Sequence, residues 1–207
     1  MASMRSFCVL TVIILTLPAF AQAVDSVPPA DGQWKRISDA IDAYAKSPSN
    51  ETAQVAIDII PGQPVAFTNS PEETRANDII YSERVMTVLK ARIRIRDQES
   101  VRLAFKLMNI ADGAFAEDLE TYLGQLIPID PSLFLSELKH SNRTDMDGLV
   151  GNLGDSFSDH FREQCSELNR RRRALRAVSD LDLQSAKDGA DSATSRVMAR
   201  IPGCKSR

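Results

Sequence analysis

The chain has 207 residues, with 25 Lys and Arg against 28 Asp and Glu, for a formal net charge of −3. That slight acidity argues against nucleic acid or an anionic membrane as the main partner. Aromatic residues make up 6% of the chain, so Leu, Ile, Ala and Val must supply the core, which suits helix-on-helix packing.

Residues 1–23 read as a cleavable export signal. Arg5 gives a positive n-region, Phe7 to Leu17 form a short apolar run, and Pro18 and Ala19 break it. Ala21-Gln22-Ala23 then offers the small-x-small pattern of a cleavage site. The run is far short of the roughly 18 residues that span a bilayer, and no later segment is long enough either. The mature protein is therefore expected to be soluble, and periplasmic or secreted.

Cleavage removes Cys8, which Phe7 disqualifies as a lipid attachment site, and leaves Cys165 and Cys204. In an oxidising compartment that even pair is expected to form a disulfide. Closing a loop of about 40 residues stabilises a fold by roughly 4 kcal/mol in the chain-entropy model. No C-x-x-C accompanies the pair, and two thiols with two scattered histidines match no zinc spacing. Neither a metal nor a cofactor is expected.

Residues 24–32, with Pro28-Pro29, read as a flexible leader. Trp34, Ile37, Ile41 and Tyr44 then mark one face of a first helix, stopped by Ser47-Pro48. Asn50 is placed to cap a short helix through Ile60, ended by Pro61-Gly62. Residues 61–71 form a loop with three prolines. It closes on Ser70-Pro71-Glu72-Glu73, where Ser70 caps, Pro71 takes the first helical position and Glu73 completes a capping box. The helix that follows is expected to carry Ile79, Met86, Leu89 and Ile93 on one stripe as far as Ile95. The alternation Arg92 to Arg96 has strand period, but arginines in a last helical turn complement the helix dipole, so the helix is preferred.

Asp97 caps a helix whose Val101, Leu103, Ala104, Phe105, Leu107, Met108 and Ile110 are apolar nearly all round, so it should be central. Asp112-Gly113 turns the chain into a stripe of Phe115, Leu119, Tyr122, Leu123 and Leu126, ended by Pro128. Asp130-Pro131 starts a helix with Leu133, Phe134 and Leu138 inward. After a loop at His140 to Thr144 comes a short helix through Leu149 and Leu153. Asp155 or Ser156 is then expected to cap a long helix from about Phe157 to Val178, and a last helix runs from about Leu183 to Ile201.

Leu119, Leu123 and Gly124 align with Leu149, Leu153 and Gly154 at an offset of 30 residues. With its short antiparallel helices, the stretch 97–154 resembles the stacked pairs of HEAT or armadillo-type repeats. That resemblance implies a fold and brings no functional residues. The expectation is one all-α domain over residues 33–204, either an irregular helical bundle or a short α-solenoid, with about seven or eight helices and one disulfide.

Three groups of residues are candidates for chemistry or binding. Leu153-Gly154-Asp155-Ser156-Phe157-Ser158-Asp159 resembles the Gly-Asp-Ser block of GDSL-type serine esterases, which implies Ser156 as a nucleophile. That family draws its base from a late Asp-x-x-His block, whereas here no histidine follows His160. Helix capping by Asp155 or Ser156 accounts for the same residues. Glu137 and His140 share one helix face at i and i+3, but a di-metal bundle site needs two such pairs and further carboxylates. Arg170, Arg171, Arg172, Arg173 and Arg176 form the one dense charge run, a possible docking patch. The helix stripe Phe157, Phe161, Cys165, Leu168, Leu175 and Val178 has its gap at 171 and 172, so one arginine there should point toward neighbouring helices. Asn50-Glu51-Thr52 and Asn142-Arg143-Thr144 match glycosylation sequons.

These features together suggest a non-enzymatic exported module that binds another protein, of the inhibitor or immunity type. A serine hydrolase using Ser156 and a small-ligand-binding periplasmic protein are the alternatives.

Overall fold

The computed structural model describes residues 32–141, 143, 146–154, 157 and 160–204, and the signal, most of the leader and Ser156 lie outside them. Among the described residues there are ten α-helices and no strand. They are α1 (Gln33–Lys46), α2 (Asn50–Ile59), α3 (Pro71–Ile80), α4 (Glu83–Arg94), α5 (Gln98–Leu107), α6 (Gly113–Leu126), α7 (Pro131–Ser141), α8 (Asp147–Gly151), α9 (Phe161–Ala177) and α10 (Gln184–Arg200). A single 3-10 turn, Leu181–Leu183, leads into α10.

Local capping chemistry sets half of the ten starts. The Ser70, Asp97 and Asp130 side chains accept from the backbone N–H groups of Glu73, Ser100 and Leu133. Each thereby satisfies one of the donors that a helix start leaves unpaired. Two caps differ from the sequence reading. Ser49, not Asn50, caps α2, in a reciprocal box with Thr52. Glu73 does not close a box on Ser70. Its carboxylate, 2% exposed, accepts from the Thr68 N–H and hydroxyl, both at 2.8 Å, and so ties the proline-rich loop to α3.

The segment 71–95 is two helices rather than one, and the ten described helices exceed the seven or eight expected. Ser82 caps a new start through the Val85 N–H, and the stripe shifts to Ile80, leaving Ile79 37% exposed. Helix α4 continues through Arg94, so Arg92 and Arg94 are helical, while Ile95 and Arg96 form the turn that ends it, with Arg96 at φ of +64°. Helix α9 begins at Phe161 rather than near 157, with no side-chain cap from His160.

Helix α1 packs on α2, α3 and α4. Helix α5 sits at the centre against α2, α4, α6 and α7, and its expected apolar residues are all buried. Next-but-one contacts follow, α5 on α7 and α6 on α8. Helices α9 and α10 close this end, with α10 lying on α7, α8 and α9. Most buried apolar side chains form one cluster from Trp34 to Ala193. A satellite of Leu153, Leu168 and Met198 lies beneath Cys165 and Cys204. Those two residues form the disulfide, with Cα atoms 5.5 Å apart, so the tail is stapled to α9.

Candidate functional site

Helix α9 carries the arginine run, and at about 100° per residue four consecutive arginines must fan around the helix. Arg171 turns inward, as the gap in the apolar stripe indicated, and is 1% exposed. Its Nη1 donates to the carbonyls of Val150 (2.9 Å) and Asn152 (3.1 Å), completing the C-terminal end of α8. Its Nε lies 3.5 Å from Glu167 Oε1, near enough for ion pairing but without a hydrogen bond of its own. Burial pushes this guanidinium down to about 10, with the Glu167 charge opposing that shift, so it remains charged at neutral pH.

The other arginines are divided between faces. Arg172 and Arg176 both donate to Asp191 on α10, at 2.9 Å each through Nε. Burial alone would raise the Asp191 carboxyl, but hydrogen bonds from Arg176 and Arg172 outweigh it and hold the group below its ordinary range. Arg170 pairs with Glu167 at 3.3 Å. Arg173 points away from all of these into an open groove. Only Arg173 of the five therefore projects a charge that no acid among the described residues pairs.

That groove, of about 780 Å³, runs between α9 and the C-terminal tail. One wall is the α9 face of Arg162, Ser166, Asn169 and Arg173, spaced at i, i+4, i+7 and i+11. Pro202 and Gly203 form the other wall, the Cys165–Cys204 disulfide lies between them, and Phe161 stands at one end. Gly203 has φ of +74°, and a Cβ there would meet nothing within 4 Å, so this wall is not crowded. Asn169 Nδ2 already donates to the Cys165 carbonyl at 2.9 Å, so the helix wall is fixed from within.

Sequence reasoning placed Phe161 on the inward stripe, yet it is 49% exposed. Arg162 and Glu163 beside it at the start of α9 are exposed too, so no described element covers this first turn. Arg162 was missed, although its spacing to Arg173 was legible, and it too has no ion-pair partner among the described residues.

Glu137 and His140 border one small cavity beside Arg102 but have different partners there. Glu137 is 1% exposed and accepts from Arg102 Nε and Nη2 at 3.0 Å each, while His140 is exposed at the end of α7. Among the described residues no three His, Cys, Asp or Glu side chains could hold a metal ion. In the Gly-Asp-Ser block, Gly154 has φ of +81° and its N–H donates to Asn152 Oδ1, while Asp155 and Ser156 lie outside the described residues. At the first sequon, Thr52 is occupied by the Ser49 cap, and Asn142 of the second lies outside the described residues. No helix among the described residues is long and apolar enough to cross a membrane. A scan with protein-family models and searches of curated proteins and of solved structures find no match to this chain.

Proposed function

We propose that this protein is a non-enzymatic exported module that presents the α9–tail groove to another protein. The observation that supports this reading is Phe161, half exposed at one end of a groove that also holds Arg162 and Arg173, neither with an ion-pair partner among the described residues, on a wall fixed by a disulfide. Aromatic and arginine side chains are the residues that most often carry binding energy at protein interfaces. A rigid wall also lowers the ordering cost of association, since a helix and a cross-linked tail lose little freedom when a partner arrives. Export through residues 1–23 fits the same reading, because the staple belongs to an oxidising compartment.

The test has two parts. Protein recovered from the exporting cell should begin at Val24. Mature protein and its Phe161→Asp variant, each immobilised, should then be compared for the partners they retain from the same compartment at low salt. A partner enriched on the wild type and lost on the variant supports the reading. Equal retention by both, or an uncleaved N terminus, overturns it.

A further inference from the structure

We infer that the groove takes an acidic, extended peptide segment of its partner, with two carboxylates clamped by Arg162 and Arg173 and an apolar side chain against Phe161. This rests on the groove being the binding face, as proposed above, and adds the chemistry of what it binds.

The argument begins with charge. The chain as a whole is acidic, at −3, so a locally basic groove stands against its own background. The other arginines of α9 are taken: Arg170 and Arg171 by Glu167, Arg172 and Arg176 by Asp191. Arg162 and Arg173 are the two left facing the groove. A guanidinium offers a planar fork of donors that matches a carboxylate, so an acidic side chain is its natural complement.

Spacing then selects the form of the ligand. Arg162 and Arg173 are eleven residues apart on one helix, which at 1.5 Å per residue separates their Cα atoms by about 16 Å. An extended chain covers that distance in about five residues, at roughly 3.3 Å each. Side chains alternate across an extended chain, so acidic residues about four or six positions apart share one face and bring both carboxylates within reach of the two arginines. Between them the segment runs past Ser166 and the disulfide, with the Pro202–Gly203 wall opposite. Phe161, at the Arg162 end, gives an apolar residue of the ligand a surface to cover.

The experiment uses the full mature protein and fluorescently labelled peptides, read by anisotropy. The first peptide carries two aspartates six positions apart with a leucine two positions beyond one of them. The second replaces both aspartates with lysine, and the third sets the aspartates side by side. The first should bind, should weaken about tenfold between low and high salt, and should bind better than the third. Arg162→Glu with Arg173→Glu should weaken it about tenfold or more. The separate Arg162→Gln and Arg173→Gln variants should each take part of that loss, with circular dichroism showing that all remain folded. Equal binding of the lysine peptide, or indifference to the charge reversals, overturns the inference. So does preferential binding of anionic vesicles over the first peptide. If Phe161→Asp still abolishes partner retention while the acidic peptide does not bind, the acidic segment is wrong and the protein-binding reading stands. If both fail, both fall.

Discussion

Gly124 leaves open the space that Arg171 fills: a Cβ at position 124 would stand 2.4 Å from Arg171 Nη1 and 2.8 Å from the Leu149 carbonyl oxygen. The two residues lie on α6 and α9, and the guanidinium between them holds the end of α8. A glycine inside a helix ordinarily costs about 0.5–1 kcal/mol relative to alanine. Here that preference reverses. Gly124→Ala is expected to destabilise the fold by about 2 kcal/mol through overpacking against backbone and a buried charge. Urea denaturation reads the loss as a lower midpoint.

Arg171→Met tests the other half of this contact. It removes a buried charge, which is favourable, but strips the Val150 and Asn152 carbonyls of their donor. The unsatisfied acceptors should dominate, for a net cost of about 2–4 kcal/mol. In the Arg171→Met background, Gly124→Ala should then cost about 1 kcal/mol less than it does alone, because the clash with Nη1 is gone. Strict additivity would show that the Leu149 carbonyl, not Arg171, dictates the glycine.

The inward arginine was legible because an apolar stripe with a polar gap at 171 and 172 has to be filled by something long. Caps at Ser70, Asp97 and Asp130 were legible for a different reason, since a side chain reaching a backbone N–H three residues on needs no tertiary information. Glu73 was not, because Thr68 comes within reach only through the path of the loop, where Asn69 adopts φ of +54°. The break at Ser82 was hidden by apolar spacing that carries through it. Phe161 was misplaced because periodicity says which face a residue occupies but not whether a neighbour extends far enough to cover it. The return of the tail onto α9 was legible from the pairing of Cys165 with Cys204, but the groove left between them was not, because a cross-link fixes one point of the tail and not the space beside it.

Asp191 should give the fold a specific acid sensitivity. Its carboxyl is held below the ordinary value by Arg172 and Arg176, so the folded state binds that proton less readily than the unfolded chain does. The stabilisation is complete above the unfolded value of about 4 and is lost as pH falls through the folded one. Asp191→Asn is therefore expected to cost about 0.5–1 kcal/mol at pH 7 and close to nothing in strong acid. Urea midpoints of the two proteins should converge as the pH is lowered; a gap that persists at low pH would show that Asp191 acts by packing instead.

Glu137 and His140 make opposite predictions although they share a helix. Glu137→Gln weakens two hydrogen bonds to Arg102 and leaves Glu99 as that guanidinium's remaining ion-pair partner, at a cost of about 1–2 kcal/mol. His140→Ala, exposed at the end of α7, should stay within about 0.5 kcal/mol of the wild type. Added zinc should shift the melting temperature of neither protein. A zinc-dependent rise that His140→Ala removes would establish a metal site the described geometry does not contain.

The staple should matter twice, once for stability and once for the groove. Cys165 and Cys204 are 39 residues apart, and the chain-entropy model assigns a closed loop of that size about 4 kcal/mol. Replacing both with alanine is expected to lower stability by up to that amount, with the same result for the wild type in reductant. The local effect is separable from the global one. The tail wall of the groove, Pro202 and Gly203, follows α10, which stays anchored upstream by Met198 in the satellite core and by Arg196 and Arg200 on Asp147. Loss of the bond therefore releases the wall before it releases the helix. In the double variant at a temperature where it remains folded, helical circular dichroism should be retained while partner retention falls. If retention were unchanged, the tail would have no part in binding and the helical wall of α9 alone would present Phe161, Arg162 and Arg173.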